Sequence, residues 1–268
     1  MARAFPPSGS KTEVDMRKTW CARGIAVCAV LAATSAWAAE PPLGFRLAAQ
    51  SPHFLFYSRH GEPIDVHEIE TSLSRVQQLL GQKLPGKAEY YRYGTPQEVA
   101  ANVGEYASGV TLGGLRQIHT TRRCHLHEIV HLVAAQLGDP GPFFNEGLAI
   151  ALGSLQGGSV RVPRRVRLPA ALRKTTMSAL ADRFDALDPA VAYPLAGSFV
   201  GHLVRTYGVP RVAAFFRASG YSGVPRAAAF QETFGVSLDE AGVSWAARRG
   251  PTVASTRTPP TDRSASAP

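Results

Sequence analysis

The hydrophobic pattern of this 268-residue chain changes near Arg122. Before that point, three short apolar or alternating stretches predict β-strands, at 53–58 (HFLFYS), 87–94 and 113–121. Apolar residues spaced three and four apart predict a helix over 65–82, and Thr95, Pro96 and Glu98 predict the start of a short helix after the second strand. We therefore expect the N-terminal part of the folded chain to form a small sheet flanked by helix.

After Arg122 the apolar spacing becomes helical, with glycine or proline between successive segments. Helices are predicted over 123–137, 143–155, 189–208, 210–220, 225–235 and 237–250. Pro194 is expected in the first turn of the third of these helices, where proline is tolerated. A small sheet followed by a helical half predicts an α+β fold, with the sheet and its flanking helix packed on the mostly helical C-terminal half.

Residues 1–38 have the pattern of a secretory signal peptide: a basic start, an apolar run over 24–33 and small residues before a cleavage site expected after Ala38. The apolar run is too short to cross a bilayer as a stable helix. Cleavage would give a secreted or periplasmic protein without a stable membrane anchor, and an uncleaved anchor is the alternative. Translation is expected to start at Met1 or at Met16, since residues 1–15 add nothing that a signal peptide needs.

Residues 39–250 are expected to form the folded domain, and residues 251–268, which are poor in apolar side chains, a disordered tail. Two of the three cysteines lie in the expected signal peptide, which leaves Cys124 alone in the mature chain. No internal disulfide can then form, so the core must supply the stability. We expect Cys124 to be a small buried hydrophobic residue and not a ligand.

The chain has a formal net charge of +9, and the run 161–174 holds six cations. This run is either a recognition site for acidic peptide, glycan or cell-wall material, or, as we favour, a solvated basic loop. No aromatic residues interleave with it and no nucleic-acid motif is present, so no nucleic-acid partner is expected. The sequence carries no signal for an oligomeric state.

The stretch HLHEIVH (125–131) places His127 and His131 four residues apart, on one face of a helix, so that both imidazoles can reach one metal ion. Glu128 cannot bind the same ion without distortion, but it can act as a general base; this is the H-E-x-x-H pattern of zinc peptidases. The flanking residues are apolar, so we expect this helix to be largely buried. Buried histidines need polar partners, and a metal ion would supply them. His125 lies about 200° around a helix from His127 and is expected to face away.

A third metal ligand must come from outside this stretch. The zinc peptidases that continue the motif with a glycine and a third histidine are excluded, because Ala134 and Leu137 stand at those positions. Asp139 lies beyond the helix end and is expected in a turn. Glu146, near the start of the next helix, is the better candidate, the alternative being a glutamate that the helix dipole favours.

HEIVH followed by FFNEGLAIAL (143–152) resembles the gluzincin metallopeptidases, specifically the peptidase MA-like family. That family has HExxH and then a hydrophobic-x-Glu-Gly-Leu-Ala segment, and the resemblance covers most of residues 50–248. It implies a mostly helical zinc-peptidase domain with Zn²⁺ as cofactor, in which the ligands are His127, His131 and Glu146 and the base is Glu128. Ile150 departs from the family, since relatives often carry a polar residue there, and any support for the ligands must come from elsewhere.

These residues predict an exported zinc metallopeptidase that hydrolyses peptide or protein substrates, with Glu128 as general base. Tyr193 is the first candidate for a second oxyanion donor and His202 the weaker one. Segment 113–121 is expected to be an edge strand that pairs with substrate, with His119 in contact with substrate or, more simply, on an exposed face. The residues expected to seal the pocket are Phe143, Phe144, Leu148 and Ala149.

The alternative is an exported module that keeps this fold but only binds a partner. The intact Glu128 favours the peptidase, because a pure binding site has no use for a base. A binder of nucleic acid or of envelope polymers through the basic run has little support in the sequence.

Overall fold

A computed structural model describes four parts of the chain, which are 44–153, 166, 168–220 and 224–247. The expected signal peptide, the expected tail and part of the basic run 161–174 lie outside these residues. None of the described helices combines the length and the apolar character needed to cross a membrane.

Five strands form one sheet in the order β1-β2-β3-β5-β4. Their bounds are Arg46–Gln50 for β1, Phe54–Ser58 for β2, Ala88–Arg92 for β3, Gly109–Leu112 for β4 and Gln117–Thr120 for β5. Strands β2, β3 and β5 run parallel, whereas β1 and β4 lie antiparallel at the two edges. The predicted strands near 53–58 and 87–94 are confirmed as β2 and β3.

The prediction of an edge strand over 113–121 is wrong. Residues Gly113–Leu115 form a short 3-10 helix, and β5 after it lies between β3 and β4. The 3-10 helix reverses the chain, so β4 pairs antiparallel with β5 and becomes the edge strand of this hairpin. Neither β1 nor β4 was predicted: β1 is mostly exposed, and β4 has only four residues, all half-buried, so neither shows an alternating pattern.

Nine α-helices lie in the described part of the chain. Their bounds are Val66–Leu80 (α1), Pro96–Val103 (α2), Leu126–Ala134 (α3), Pro142–Gly153 (α4), Met177–Asp182 (α5), Pro189–Tyr207 (α6), Val209–Gly220 (α7), Arg226–Phe234 (α8) and Leu238–Ala247 (α9). The predicted helices are confirmed, although α3 is shorter than expected and α5 was not predicted. Pro194 is not in the first turn of α6: Pro189 begins that helix, and Pro194 lies inside it.

The two faces of the sheet are packed differently. One face contributes Phe54, Phe56, Tyr90 and Ile118 to the main core, against helices that include α1 and α3. The other face carries a smaller aromatic cluster of Phe45, Tyr57, Tyr91 and Tyr93, next to Val99 of α2. The chain is thus a mixed α+β protein, with a small sheet followed by a helical half, as predicted.

Candidate metal centre

Helix α3 carries two histidines whose rings meet at one point. His127 and His131 are one helical turn apart, and their Nε2 atoms lie 3.1 Å from each other. His131 is in the last turn of the helix. If each ring carries its proton on Nδ1, the two Nε2 lone pairs face a point that one cation could occupy.

A tight turn brings α4 back against α3. The turn needs positive φ angles at Gly138 (153°) and Gly141 (99°), a backbone region that favours glycine. Asp139 fixes the turn, because its carboxylate accepts hydrogen bonds from the Gly141 amide at 2.9 Å and from the Asn145 side chain at 2.8 Å. Asp139 is therefore a turn residue, as expected, and the next residue after Asn145 is Glu146.

Glu146 faces both histidines from α4. Its Oε2 lies 3.2 Å from Nε2 of His127, and its Oε1 lies 3.4 Å from Nε2 of His131. Burial raises the pKa of Glu146, but the interactions with His127 and His131 outweigh it and lower the pKa to about 2. Oε2 is buried and accepts no hydrogen bond from the described residues. The carboxylate is thus ionised and has a buried oxygen available to a cation.

The spacing of these atoms fits a metal ion. Donor atoms of His127, His131 and Glu146 all lie within 4.8 Å of one another. Ligand atoms at zinc distances in a tetrahedral arrangement are about 3.3 Å apart. Here the two Nε2 atoms are 3.1 Å apart, and each lies 3.2 or 3.4 Å from a different oxygen of the Glu146 carboxylate. The structure therefore brings together the three residues that the sequence analysis took as ligands.

Glu128 lies on α3 beside this group but does not belong to it. Its side chain is buried, and Oε2 accepts a hydrogen bond of 2.9 Å from Oγ1 of Thr111 on β4. Burial raises the pKa of Glu128, against the opposing effect of the two neighbouring histidines. A buried carboxylate whose affinity for protons is raised suits a general base.

His125 is placed differently from our expectation. The expectation that it faces away was wrong, because His125 precedes α3 with non-helical angles (φ −127°, ψ 82°), so the helical rotation does not apply to it. Its ring is buried, with Nδ1 2.8 Å from Oγ1 of Thr120 and 3.8 Å from Oε1 of Glu128. Burial lowers the pKa of His125 to about 3, so the ring is neutral. His125 stays outside the ligand group, as predicted.

The three candidate ligands and Glu128 line one open cleft of about 1030 Å³ between the β4 region and helices α3, α4 and α6. Tyr193 of α6 lines this cleft and is 39% exposed. Burial, followed by the charge of Glu146, raises the pKa of Tyr193, so its hydroxyl keeps its proton. His202, the weaker candidate, is buried in α6 and does not line the cleft.

The residues expected to seal the pocket divide into two groups. Ala149 lines the cleft, whereas Phe143, Phe144 and Leu148 are buried in the main core behind it, which corrects the expectation for these three. They point away because α4 also packs along α6, and helical periodicity leaves only one of its faces for the cleft. Ile150 also lines the cleft and packs tightly on Gly197 of α6.

Neither His119 nor Cys124 belongs to the group of candidate ligands. The favoured position of His119 on an exposed face is wrong: its ring is stacked on Tyr91, with centroids 4.8 Å apart, on the sheet face that carries the smaller cluster. Cys124 packs against the main core, 3.9 Å from Oγ of Ser72, and burial raises the pKa of its thiol to about 11. Cys124 is outside the ligand group, as expected.

Two residues of β4 at the site were missed by the sequence analysis. Thr111 donates to Glu128, and Gly109 lies so close to the same side chain that a Cβ there would be 2.8 Å from Oε1. A glycine in a short strand can mark a close approach of backbone to another group, and that was the available signal. Nothing in the sequence pattern linked this strand to α3.

Comparison with protein-family models and with curated proteins gives no match to this chain.

Proposed function

We propose that this protein is a zinc-dependent peptidase of the gluzincin type. The observation that carries the proposal is the convergence of His127, His131 and Glu146 at zinc-like separations, on the wall of an open cleft. A buried carboxylate, Glu128, lies beside them without being a ligand. Three protein ligands and a separate base are the usual composition of a hydrolytic zinc site.

The donor set favours zinc among biological cations. Two imidazole nitrogens and one carboxylate oxygen suit zinc and related transition metals, whereas calcium and magnesium prefer oxygen ligands alone. When bound by three protein ligands, zinc keeps a position for water and substrate, lowers the pKa of water towards neutrality and polarises a carbonyl group. Oε2 of Glu146 is buried, accepts no hydrogen bond from the described residues and lies 3.2 Å from Nε2 of His127, which is the environment expected of a ligand atom.

Glu128 supplies the proton transfers. In the proposed reaction its carboxylate accepts a proton from the attacking water and gives it to the leaving nitrogen of the peptide. The elevated pKa of Glu128 strengthens its affinity for that proton. Burial also keeps bulk water from competing for the carboxylate.

The edge strand suggests how a peptide would lie. β4 is at the end of the sheet, and its free edge has no partner strand in the described part of the chain. Several of its residues line the cleft that holds the metal ligands. An extended peptide can add to such an edge through main-chain hydrogen bonds. We therefore assign substrate pairing to β4 instead of segment 113–121, where it was first expected.

Tyr193 is our candidate for the donor that stabilises developing charge on the substrate oxygen. Its protonated hydroxyl on the cleft wall, near enough to Glu146 for that charge to raise its pKa, supports the proposal. Residues 1–38 further support an exported, secreted or periplasmic protein. N-terminal sequencing of the mature protein should then begin at Ala39.

One experiment tests the function. Purified wild-type protein and Glu128→Gln are analysed for zinc content and then incubated with a broad mixture of unstructured peptides, whose cleavage is followed by mass spectrometry. We expect stoichiometric zinc in both proteins and a loss of about 10²–10⁴-fold in cleavage rate for Glu128→Gln. Tyr193→Phe in the same assay should lose about 10²-fold.

The outcomes separate the competing functions. Stoichiometric zinc without any cleavage that depends on Glu128 would favour the exported binding module. Absence of zinc from both proteins, even after incubation with zinc salts, would refute the proposed metal site and therefore the proposed peptidase activity.

A further inference from the structure

The base Glu128 is in contact with a strand that contributes no metal ligand. Oγ1 of Thr111 on β4 lies 2.9 Å from Oε2 of Glu128 and 3.0 Å from the backbone oxygen of the same residue. We propose that Thr111 is a positioning residue, which holds the Glu128 carboxylate in its working orientation, with Gly109 providing the room for it. The inference rests on the proposed function, in which Glu128 is the base.

The chemistry of the contact favours this role. A threonine hydroxyl has one hydrogen, and an ionised carboxylate accepts hydrogen bonds but cannot donate them. A hydrogen bond to an ionised acceptor is shorter and stronger than one between neutral groups, so the carboxylate is the preferred acceptor over the backbone oxygen. Thr111 therefore restrains the side-chain torsions of Glu128 through Oε2.

The other carboxylate oxygen is confined by packing. Oε1 of Glu128 lies 3.8 Å from Nδ1 of His125, too far for a hydrogen bond. On the same side, a Cβ at Gly109 would be 2.8 Å from Oε1 and 2.3 Å from Nδ1 of His125. The carboxylate is thus held between the hydroxyl of Thr111 and the bare backbone of Gly109.

β4 is itself fixed at its start. The carbonyl oxygen of Ser108 accepts hydrogen bonds from the amide of Thr121 at 2.9 Å and from the hydroxyl of Thr120 at 3.0 Å. The Thr120 hydroxyl also lies 2.8 Å from Nδ1 of His125, the residue that precedes α3. These bonds tie the strand that carries Thr111 to the helix that carries Glu128.

A merely structural role for Thr111 predicts a different result from a positioning role. If the hydroxyl only helps β4 to pack on α3, its loss lowers stability and leaves the Glu128 carboxylate in place. If it orients Glu128, its loss frees the carboxylate and slows the proton transfer, while zinc content and substrate binding stay the same.

The matched variants are Thr111→Val, which has nearly the same shape without the hydroxyl, and Thr111→Ser, which keeps the hydroxyl. Crystal structures of both variants and of the wild type give the position of the Glu128 carboxylate, a measurement that does not depend on activity. We expect the carboxylate to be displaced or split between conformers in Thr111→Val and unchanged in Thr111→Ser. Thr111→Ala replaces the valine variant if that protein does not fold.

Kinetics provide the second measurement, on the library peptide that the wild type cleaves fastest. The kcat of Thr111→Val should fall by about 10–100-fold, as for other residues that orient a catalytic group. Its KM and zinc content should stay close to wild type, and Thr111→Ser should keep kcat within about threefold.

The two measurements distinguish the two hypotheses. A Glu128 carboxylate that keeps one unchanged conformer in Thr111→Val overturns the positioning role, whatever the activity. If the carboxylate is displaced in Thr111→Val but neither this variant nor the wild type cleaves peptides, the positioning role is supported and the proposed function is refuted. Equal kcat in active wild type and Thr111→Val also overturns the proposal.

Discussion

Histidines with polar partners occur at the candidate metal centre and on the far face of the sheet, and their partners differ. At the candidate metal centre, the Nε2 atoms of His127 and His131 lie 3.1 Å apart and within 3.4 Å of the carboxylate of Glu146. On the far face of the sheet lies what we call the His119 cluster: Tyr91, Tyr93, Gln117 and His119. There, Nδ1 of His119 is 2.8 Å from the Tyr93 hydroxyl, and Nε2 is 3.4 Å from Oε1 of Gln117.

The difference teaches how a site can be told from a core. Both ring nitrogens of His119 have a hydrogen-bond partner, and its ring is stacked on Tyr91 at 4.8 Å. Such a histidine has no lone pair to offer a ligand. At the candidate metal centre, donor atoms of three residues lie within 4.8 Å of one another instead, so one added cation could contact all three residues. Convergence of donor atoms, and not the burial of a histidine, marks the candidate site.

Loss of one ligand should have the largest effect. His131→Ala keeps a strong helix former in α3 but removes one of three donors. Since structural zinc sites with four ligands release roughly 10–16 kcal/mol, one ligand accounts for several kcal/mol, and we expect zinc affinity to fall by about 10²–10³-fold. Competition against a chromogenic chelator measures it.

His119→Gln is the control for this comparison. It changes a histidine that is more deeply buried than His131 and whose two ring nitrogens have hydrogen-bond partners, so zinc affinity should stay at the wild-type value. A similar loss of affinity in His119→Gln and His131→Ala would show that the two regions are not distinct.

The pH dependence of stability should reveal the His119 cluster. Burial lowers the pKa of His119 to about 4, below the ordinary value of 6.5. Between these values the unfolded chain binds the proton and the folded chain does not, so stability is fully present above pH 6.5 and is lost as the pH falls towards 4. The difference between these two pKa values corresponds to about 3 kcal/mol of unfolding free energy.

Urea unfolding of the zinc-free wild type and of His119→Gln, at several pH values between 7 and 4, isolates this contribution. Titration of the other groups is common to both proteins and cancels in the difference. The glutamine variant should lose less stability on acidification. If the unfolding free energies of the two proteins fell equally with pH, protonation of His119 would not destabilise the fold. That result would contradict the assignment of His119 as a core residue with both ring nitrogens hydrogen-bonded.

Much of this architecture could be predicted because it depends on local pattern. The cap of α2 is an example: Thr95 and Glu98 form the reciprocal hydrogen bonds that their spacing predicts, after which Pro96 begins the helix. The proximity of two candidate ligands could be predicted for the same reason, since His127 and His131 are related by one helical turn. Glu146 needed one further step, a short turn that reverses the chain.

The rest depends on contacts between segments that are distant in sequence. His119 was expected on an exposed face because its strand was taken as an edge, and the hairpin with β4 made it an inner strand instead. His125 was judged by a helical angle although the helix begins one residue later. Thr111 was missed because its role exists only where β4 meets α3.

The smallest expected effect is the loss of one hydroxyl in the His119 cluster. Tyr93→Phe removes the partner of His119 Nδ1 and leaves a buried ring nitrogen unpaired, which should cost about 1–2 kcal/mol of unfolding free energy. Zinc affinity should not change, because Tyr93 lies on the opposite face of the sheet from the ligands.

Tyr106→Phe is the matched control, since Tyr106 is 69% exposed and the same change there should stay within about 0.5 kcal/mol. Urea unfolding of both variants at pH 7.5, where His119 is neutral, measures the two costs. An equal loss of unfolding free energy in Tyr93→Phe and Tyr106→Phe would mean that water binds the freed nitrogen of His119. The His119 cluster would then be as accessible to a polar ligand as the candidate metal centre is.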